Sequence, residues 1–368
     1  MRAFASFLAR KQPILQPITM QTSLIDLAPI TRHLRAKASS HLLAAAVNHL
    51  NVFEELDYSP GSLPELQRRL GLKSRPAMVL FPALCAMGLL EFDAGQRLQL
   101  TPLGRYLTIS EPSNLIGYTS LEKDDPGTLR MAQWLKNDGP ENESEGLSYI
   151  KDDKAPSPMD EPEAANFFTM ALAGRARYLA PLVAAEITRR NGSLLDVAGG
   201  SGYYSFEWLI ANPGSTAAIF DRPEVLKVAK KLLQEYCASG KAGTENLEKR
   251  VHFLPGDMLT DQLPAADILL AASLFHDWPE ETCELLAHKF AAALNPGGEL
   301  WIHDAFLDDT IDGPIAVTDY SAMLFLGTRG RAYSRKEYRT WLTAAGLIPS
   351  PSNIPTLMDY GLISARKE

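Results

Sequence analysis

The chain has 368 residues, 46% of them apolar, and a formal net charge of -8 from 44 acidic and 36 basic side chains. That is enough sequence for two domains with sizeable cores. Nothing in this acidic balance resembles the footprint of a nucleic-acid partner, which would need a basic face.

Residues 1–30 mix basic and apolar positions, with no sustained apolar h-region and no membrane-spanning run. They are expected to form an arm that packs on a partner. Residues 35–58 read as one helix, because Leu42, Leu43, Ala46, Leu50, Phe53 and Leu56 recur near helical spacing. Ser62, Pro64 and Glu65 then open a short helix that ends near Gly71. Residues 75–90 form a third helix with an apolar face. Glu91–Asp93 and Leu98–Leu100 suit two short strands around a Gly95 turn. Three helices followed by a hairpin is a winged-helix order, which often serves DNA. Here the third helix carries Arg75 near its start, then Met78, Val79, Leu80, Phe81, Leu84 and Met87. That composition favours a core or a dimer partner over DNA.

Residues 122–163 are rich in Asp, Glu, Lys and Pro and are expected to form a surface excursion. A helix follows from near Pro162, holding Phe167, Phe168, Met170, Leu172, Tyr178 and Leu179. Most of these suit a core, and one or two suit the wall of a pocket for an aromatic ligand. From about residue 190 strands and helices alternate. The strands are Leu194–Ala198, Ala217–Phe220, Val251–Leu254, Asp267–Leu270 and Leu300–His303. The helices are Tyr204–Asn212, Leu226–Ala238, Glu280–Leu294, with Pro279 just before it, and Ser334–Ala345. A Pro296-Gly297-Gly298 turn precedes the fifth strand, and Leu357–Ala365 adds final strands. This alternation predicts an α/β sheet with helices on both faces.

The stretch LLDVAGGSGYYS, residues 194–205, places Gly199, Gly200 and Gly202 at the end of the first strand. Ligands of such sheets sit beyond the carboxyl ends of the strands. Glycines there permit unusual dihedrals and close backbone approach. Asp221 ends the second strand, where a carboxylate accepts hydrogen bonds from ribose hydroxyls. A dinucleotide fingerprint asks for a third glycine, and Ser205 holds that position. S-adenosylmethionine, which has no pyrophosphate, is hurt less by that loss than NAD. A structural turn after a buried strand is the plain alternative.

LLDVAGGSGYYS, the FDRPEV stretch 220–225, GDM 256–258 and HDWPEE 276–281 together resemble the S-adenosylmethionine-dependent small-molecule O-methyltransferases of the caffeate, flavonoid and bacterial polyketide type. The resemblance covers roughly residues 35–366. It implies a C-terminal Rossmann-like methyltransferase sheet and an N-terminal, mostly helical winged-helix dimerisation domain. The implied division is an arm and winged-helix-like unit over 1–110, a helical linker and substrate-pocket region over 111–185, and the catalytic domain over 186–368. Gly199, Gly200 and Gly202 would cradle the cofactor, with the last two on its methionine side. Asp221 would hold the ribose. Asp257 and Met258 would flank the adenine, with Asp257 accepting from its amino group. His276 would be the general base, and Asp304 would orient it. Two departures stand out. The first glycine of the family motif is Ala198 here. In RGRAYS, residues 329–334, the family's second glutamate is Ala332, although the basic Arg331 is kept.

Methyl transfer to oxygen gains from removing the hydroxyl proton, and a histidine at the carboxyl edge of strand four suits that task. A carboxylate fixes its tautomer by accepting the other ring proton. Without the motif, His276 reads as a packing residue and Asp277 as a cap for the next helix. His303 is expected to pack or to support the site. Trp134, Phe167, Phe168, Met170, Trp278, Met323 and Phe325 are candidates for the substrate pocket, with core packing as the alternative for each. No metal site is expected, since Asp308, Asp309 and Asp312 lack a full calcium-loop spacing. The expected partners are a small hydroxylated substrate and a second copy of the chain, with no nucleic acid or membrane. Two other functions stay open: a family member that keeps the cofactor without methyl transfer, and a winged-helix regulator. For the latter, Arg68, Arg69, Lys73 and Arg75 are a thin basic supply. Cys85, Cys237 and Cys283 form no disulfide ladder and no CxxC pattern, so a reducing, cytoplasmic setting is expected.

Overall fold

Residues 24–140, 157–187 and 192–368 are described by the structure, a computed structural model. Most of the expected arm and part of the 122–163 excursion lie outside the described residues.

The single helix expected over 35–58 is two. Helix α1 (Ala28–Asn48) stops before Asn51, whose backbone is left-handed at φ 54°, and α2 (Val52–Tyr58) starts in a new direction. Asparagine tolerates this conformation because its short polar side chain bonds locally. Helix α3 (Leu63–Leu70) opens with a Ser62–Glu65 capping box and ends at left-handed Gly71. Helix α4 (Ser74–Ala86) buries its apolar face, and β1 (Leu90–Phe92) pairs antiparallel with β2 (Leu98–Leu100). Helices α5 (Ile116–Thr119), α6 (Pro126–Asn137) and α7 (Pro162–Glu186) lead to the sheet.

The second half runs β3 (Ser193–Val197), α8 (Tyr203–Ala211), β4 (Thr216–Asp221), α9 (Pro223–Ala238), α10 (Leu247–Arg250), β5 (Val251–Pro255), β6 (Ala266–Ala272), α11 (Glu280–Ala293), β7 (Leu294–Asp304) and β8 (Phe306–Leu307). It closes with α12 (Ile315–Phe325), β9 (Tyr333–Ser334), α13 (Arg335–Ala344), β10 (Ile348–Pro349), β11 (Ile354–Pro355) and β12 (Gly361–Arg366). The main sheet has the order β10-β12-β7-β6-β3-β4-β5, with β11 beside β12. Strands β7, β6, β3, β4 and β5 are parallel neighbours, and β12 is antiparallel to β7. The chain fills one side of β3 and then returns to β6 on the other. That reversal opens a crevice at the carboxyl ends of β3 and β6.

Successive residues of β3 enter different cores, as strand geometry requires. Leu194 joins Leu179, Val183, Phe206 and Leu232 on one face of the sheet. Leu195 and Val197 join Leu286, Phe290 and Trp341 on the other. The two halves of the chain interlock, because Ala322 and Phe325 of α12 belong to the N-terminal core with Leu80, Leu84 and Trp134. Strand β7 is longer than expected and includes Pro296-Gly297-Gly298. Backbone bonds from Gly297 to Lys367 and from Lys367 to Gly298 draw this stretch alongside the C-terminal tail.

Ala198, just after β3, is held at φ 54°. A non-glycine residue pays about 1–2 kcal/mol there, less what glycine loses in unfolded-chain entropy. Ala198→Gly is expected to stabilise the fold by about 0.5–1 kcal/mol, read from the urea midpoint. An unchanged or lower midpoint would show that the alanine is unstrained.

Candidate active site

A cavity lies at the carboxyl ends of β3, β4 and β6, with α7 and α12 also supplying wall residues. Its floor is the loop after β3. Gly200 and Gly202 have φ of 57° and 79°, so both need the freedom of glycine. A Cβ on Gly202 would lie 2.6 Å from Phe206 Cζ, and one on Gly199 would lie 2.8 Å from Asp196 Cγ. The loop can pack this closely on Phe206 and Asp196 only without these side chains; Gly199 and Gly200 line the cavity, and Gly202 lies outside the lining.

Two carboxylates face this loop. Asp221 Oδ2 accepts from the Gly200 N–H at 2.9 Å and Oδ1 from the Arg222 N–H at 2.7 Å. Burial still pushes Asp221 up to about 6, against the pull of those two donors. Asp196 is also buried and is pushed up to about 7. Its Oδ2 accepts from Ser205 Oγ at 2.8 Å, while Oδ1 has no partner. Ser205, at the third position of the dinucleotide pattern, therefore supports a carboxylate instead of admitting a pyrophosphate. Asp257 and Met258 also line the cavity. Asp257 Oδ2 lies 3.0 Å from Arg222 Nη1, and Arg222 grips Asp160 at 2.5 Å with its other side. The guanidinium thus ties the turn before α7 to the end of β4.

His276 sits in a short turn after β6. Its Nδ1 lies 2.5 Å from Asp304 Oδ1 at the end of β7. Asp304 also accepts from Tyr338 Oη and from the Ala305 N–H, each at 2.8 Å. Burial would raise Asp304, but the imidazole and these donors hold it below the usual carboxylate range. Burial would likewise lower His276, yet Asp304 and Asp277 hold it above the usual imidazole value. With Nδ1–H given to Asp304, the Nε2 lone pair is the reactive one. Tyr320 Oη lies 3.2 Å from it and Asp277 Oδ1 3.6 Å.

Ala332 is fully buried and brings no carboxylate. The nearby Glu337 is engaged by Arg331 at 2.5 Å and by the Ser334 cap. Asp277, read from the sequence as a helix cap, instead turns its carboxylate toward the imidazole, and Pro279 holds the N-cap position of α11. A Cβ on Gly330 would lie 2.3 Å from the His276 carbonyl, so the 329–333 segment presses directly on the base's backbone. His303 points elsewhere. Its ring meets Tyr204 Oη at 3.2 Å and Thr356 Oγ1 at 3.0 Å, and burial drops it to about 3, so it stays neutral.

Among the residues expected at the substrate pocket, Phe168 and Trp278 line the cavity. Trp134 and Phe325 meet edge-on at 6.2 Å in the N-terminal core. Phe167, Met170 and Met323 are partly exposed and outside the lining, with Phe167 stacked edge-on against Phe168. Helical spacing marked their apolar character without fixing which face of α7 or α12 turns inward. The sequence does not single out Arg175, Tyr320 or Tyr338. Nothing local distinguishes them, since each reaches the site from a helix far along the chain.

The glycine loop, the unpartnered Asp196 oxygen and the Asp221 carboxylate fit a nucleoside that carries an amino-acid tail, as S-adenosylmethionine does. No group of three or more His, Cys, Asp or Glu among the described residues is placed to hold a metal. No helix among them is long and apolar enough to cross a membrane.

The O-methyltransferase domain family matches residues 162–348. An O-methyltransferase family 2 protein from Planctomyces limnophilus, crystallised with apigenin, is 37% identical, with a TM-score of 0.81 over 96% of this chain and 99% of that one. The 3-hydroxy-5-methyl-1-naphthoate 3-O-methyltransferase of Streptomyces sahachiroi is 29% identical over 83% of this chain and 84% of its own. N,N-dimethyltransferase OxyT of Streptomyces rimosus is 28% identical over 96% of this chain and 98% of its own. The chain belongs to the O-methyltransferase family and is an S-adenosylmethionine-dependent methyltransferase.

Proposed function

We propose that the chain methylates a hydroxyl oxygen of an aromatic secondary metabolite, with His276 as the base. One observation carries this reading: His276 holds Nδ1 on Asp304 and turns Nε2 toward the cavity that Asp221 and the glycine loop also line. Gly199, Gly200, Gly202 and Asp196 would take the amino-acid side of the cofactor, Asp221 the ribose, and Asp257 and Met258 the adenine. When bound, S-adenosylmethionine supplies an electrophilic methyl carbon on a sulfonium. His276 Nε2 takes the acceptor's proton, and the resulting imidazolium rests between Asp304 and Asp277. Asp277 supplies a second carboxylate where Ala332 cannot, which weighs against the non-methylating alternative. Phe168, Leu172 and Trp278 give the cavity apolar walls suited to a planar ring. The naphthoate relative acts on such a ring. A base also favours oxygen over nitrogen as acceptor, because a neutral amine already offers its lone pair.

We further propose the division into an arm and winged-helix-like dimerisation unit over 1–110, a helical linker and pocket region over 111–185, and a catalytic domain over 186–368, assembled as a homodimer in the cytoplasm. The three cysteines, all unpaired, suit that reducing setting. Light scattering is expected to give roughly twice 40.4 kDa, and a mass of one chain at working concentration would refute the dimer.

Hydroxylated aromatics incubated with enzyme and S-adenosylmethionine are expected to gain the mass of one methyl group. His276→Ala should cut turnover about 10²–10⁴-fold while nucleoside binding survives, and an unchanged rate would remove His276 as base. The neutral imidazole is the working form and its pKa is raised above 6.5, so kcat/KM should climb with pH through a limb above that value. Asp304→Asn should move the limb down and lower the rate, and an unmoved limb would assign it to another group. Asp221 ionises near 6. S-adenosylhomocysteine affinity should therefore lose a step as pH drops through about 6, a step that Asp221→Asn, already weak, should lack while keeping any step near 7 that Asp196 contributes. Equal profiles for both proteins would detach Asp221 from the ribose.

A further inference from the structure

The cavity contains a cation that no carboxylate among the described residues neutralises. Arg175, on α7, is half-buried and lines the cavity. Its Nη1 donates to Tyr360 Oη at 2.6 Å and to Tyr320 Oη at 3.5 Å, and the guanidinium lies 5.1 Å from the Tyr360 ring centre. These partners are phenol hydroxyls, not carboxylates. No carboxylate among the described residues lies within ion-pair distance of it, and its remaining donors have no partner there. Other arginines in this part of the molecule are treated differently. Arg75 faces Asp138 at 2.7 Å, Arg222 faces Asp160 at 2.5 Å, and Arg331 faces Glu337 at 2.5 Å.

A guanidinium cannot shed its proton at physiological pH. Removing it from water without a counter-charge is costly. Its planar fork matches a carboxylate with two parallel hydrogen bonds. The position matters too. Tyr320, which shares Nη1, also reaches His276 Nε2, so Arg175 stands one residue from the base.

We propose that Arg175 is a carboxylate-binding subsite of this cavity, completed only when a ligand brings the anion. The inference rests on the methyltransferase reading. Two ligands carry that chemistry: the amino-acid tail of the cofactor, and an acidic group on the acceptor ring.

Calorimetry on wild type and Arg175→Gln separates them. The probes are S-adenosylhomocysteine against 5′-methylthioadenosine, which lacks the carboxylate, and 3,4-dihydroxybenzoate against its methyl ester with S-adenosylhomocysteine bound. If the cofactor is the source, the substitution weakens S-adenosylhomocysteine about 10–100-fold and leaves methylthioadenosine unchanged. If the acceptor is the source, S-adenosylhomocysteine is unaffected and a wild-type preference for the acid over the ester disappears. Unchanged affinities for all four probes overturn the proposal. Should the glutamine variant fail to fold, wild type decides: binding that ignores both carboxylates overturns the proposal by itself. Failure of wild type to bind either nucleoside would instead fell the methyltransferase reading and this inference with it.

Discussion

The chemistry of this chain depends on one buried contact, between His276 Nδ1 and Asp304 Oδ1. Both residues are nearly sealed, at 2% and 0% exposure. An isolated charge would not be tolerated there. The pair persists because each partner is the other's solvent, and because Tyr338 and the Ala305 N–H fill the rest of the carboxylate's needs. Sheet register makes this possible. Strands β6 and β7 run parallel with Ala272 opposite His303, so the turn after β6 and the last residue of β7 emerge side by side. Gly330 then lets a third segment press on the His276 backbone without a side chain between them.

Asp304, Asp196 and Asp221 all feel burial and differ in their donors, and the donors decide their behaviour. Asp304 has the imidazole and two further donors, and it stays ionised. Asp196 has one hydroxyl donor and an unpartnered oxygen, and burial prevails to raise it to about 7. Asp221, with two backbone donors, falls between at about 6. One pKa unit is about 1.4 kcal/mol, so a single added donor from a ligand is enough to reset either group. The cofactor side of the cavity is thus held ready to change on binding, while the base side is already complete.

Much of this was legible in the sequence because it is written in local patterns. Glycines at 199, 200 and 202, an aspartate ending each of β4 and β7, and a histidine just after β6 mark strand ends by position alone. The alternation of strands and helices gave the sheet. What stayed hidden depends on distant segments meeting. Tyr320 reaches His276 from α12 and Tyr338 reaches Asp304 from α13, while Arg175 meets Tyr320 from a helix that precedes the sheet altogether. Trp134 and Phe325 looked like pocket aromatics, but the interlock of α12 with the N-terminal helices turns both into core. The break at Asn51 leaves no mark in the apolar spacing, which continues across it while only the backbone changes hand.

Nitrogen-15 NMR of the His276 ring, followed through a pH titration of the ligand-free enzyme, tests the central pair most directly. The predicted result is a neutral ring protonated on Nδ1, with Nε2 bare, and a pKa above 6.5 that falls in Asp304→Asn. A neutral ring carrying its proton on Nε2, or a pKa below 6.5 that Asp304→Asn does not move, would contradict the assignment of His276 as a base held by Asp304.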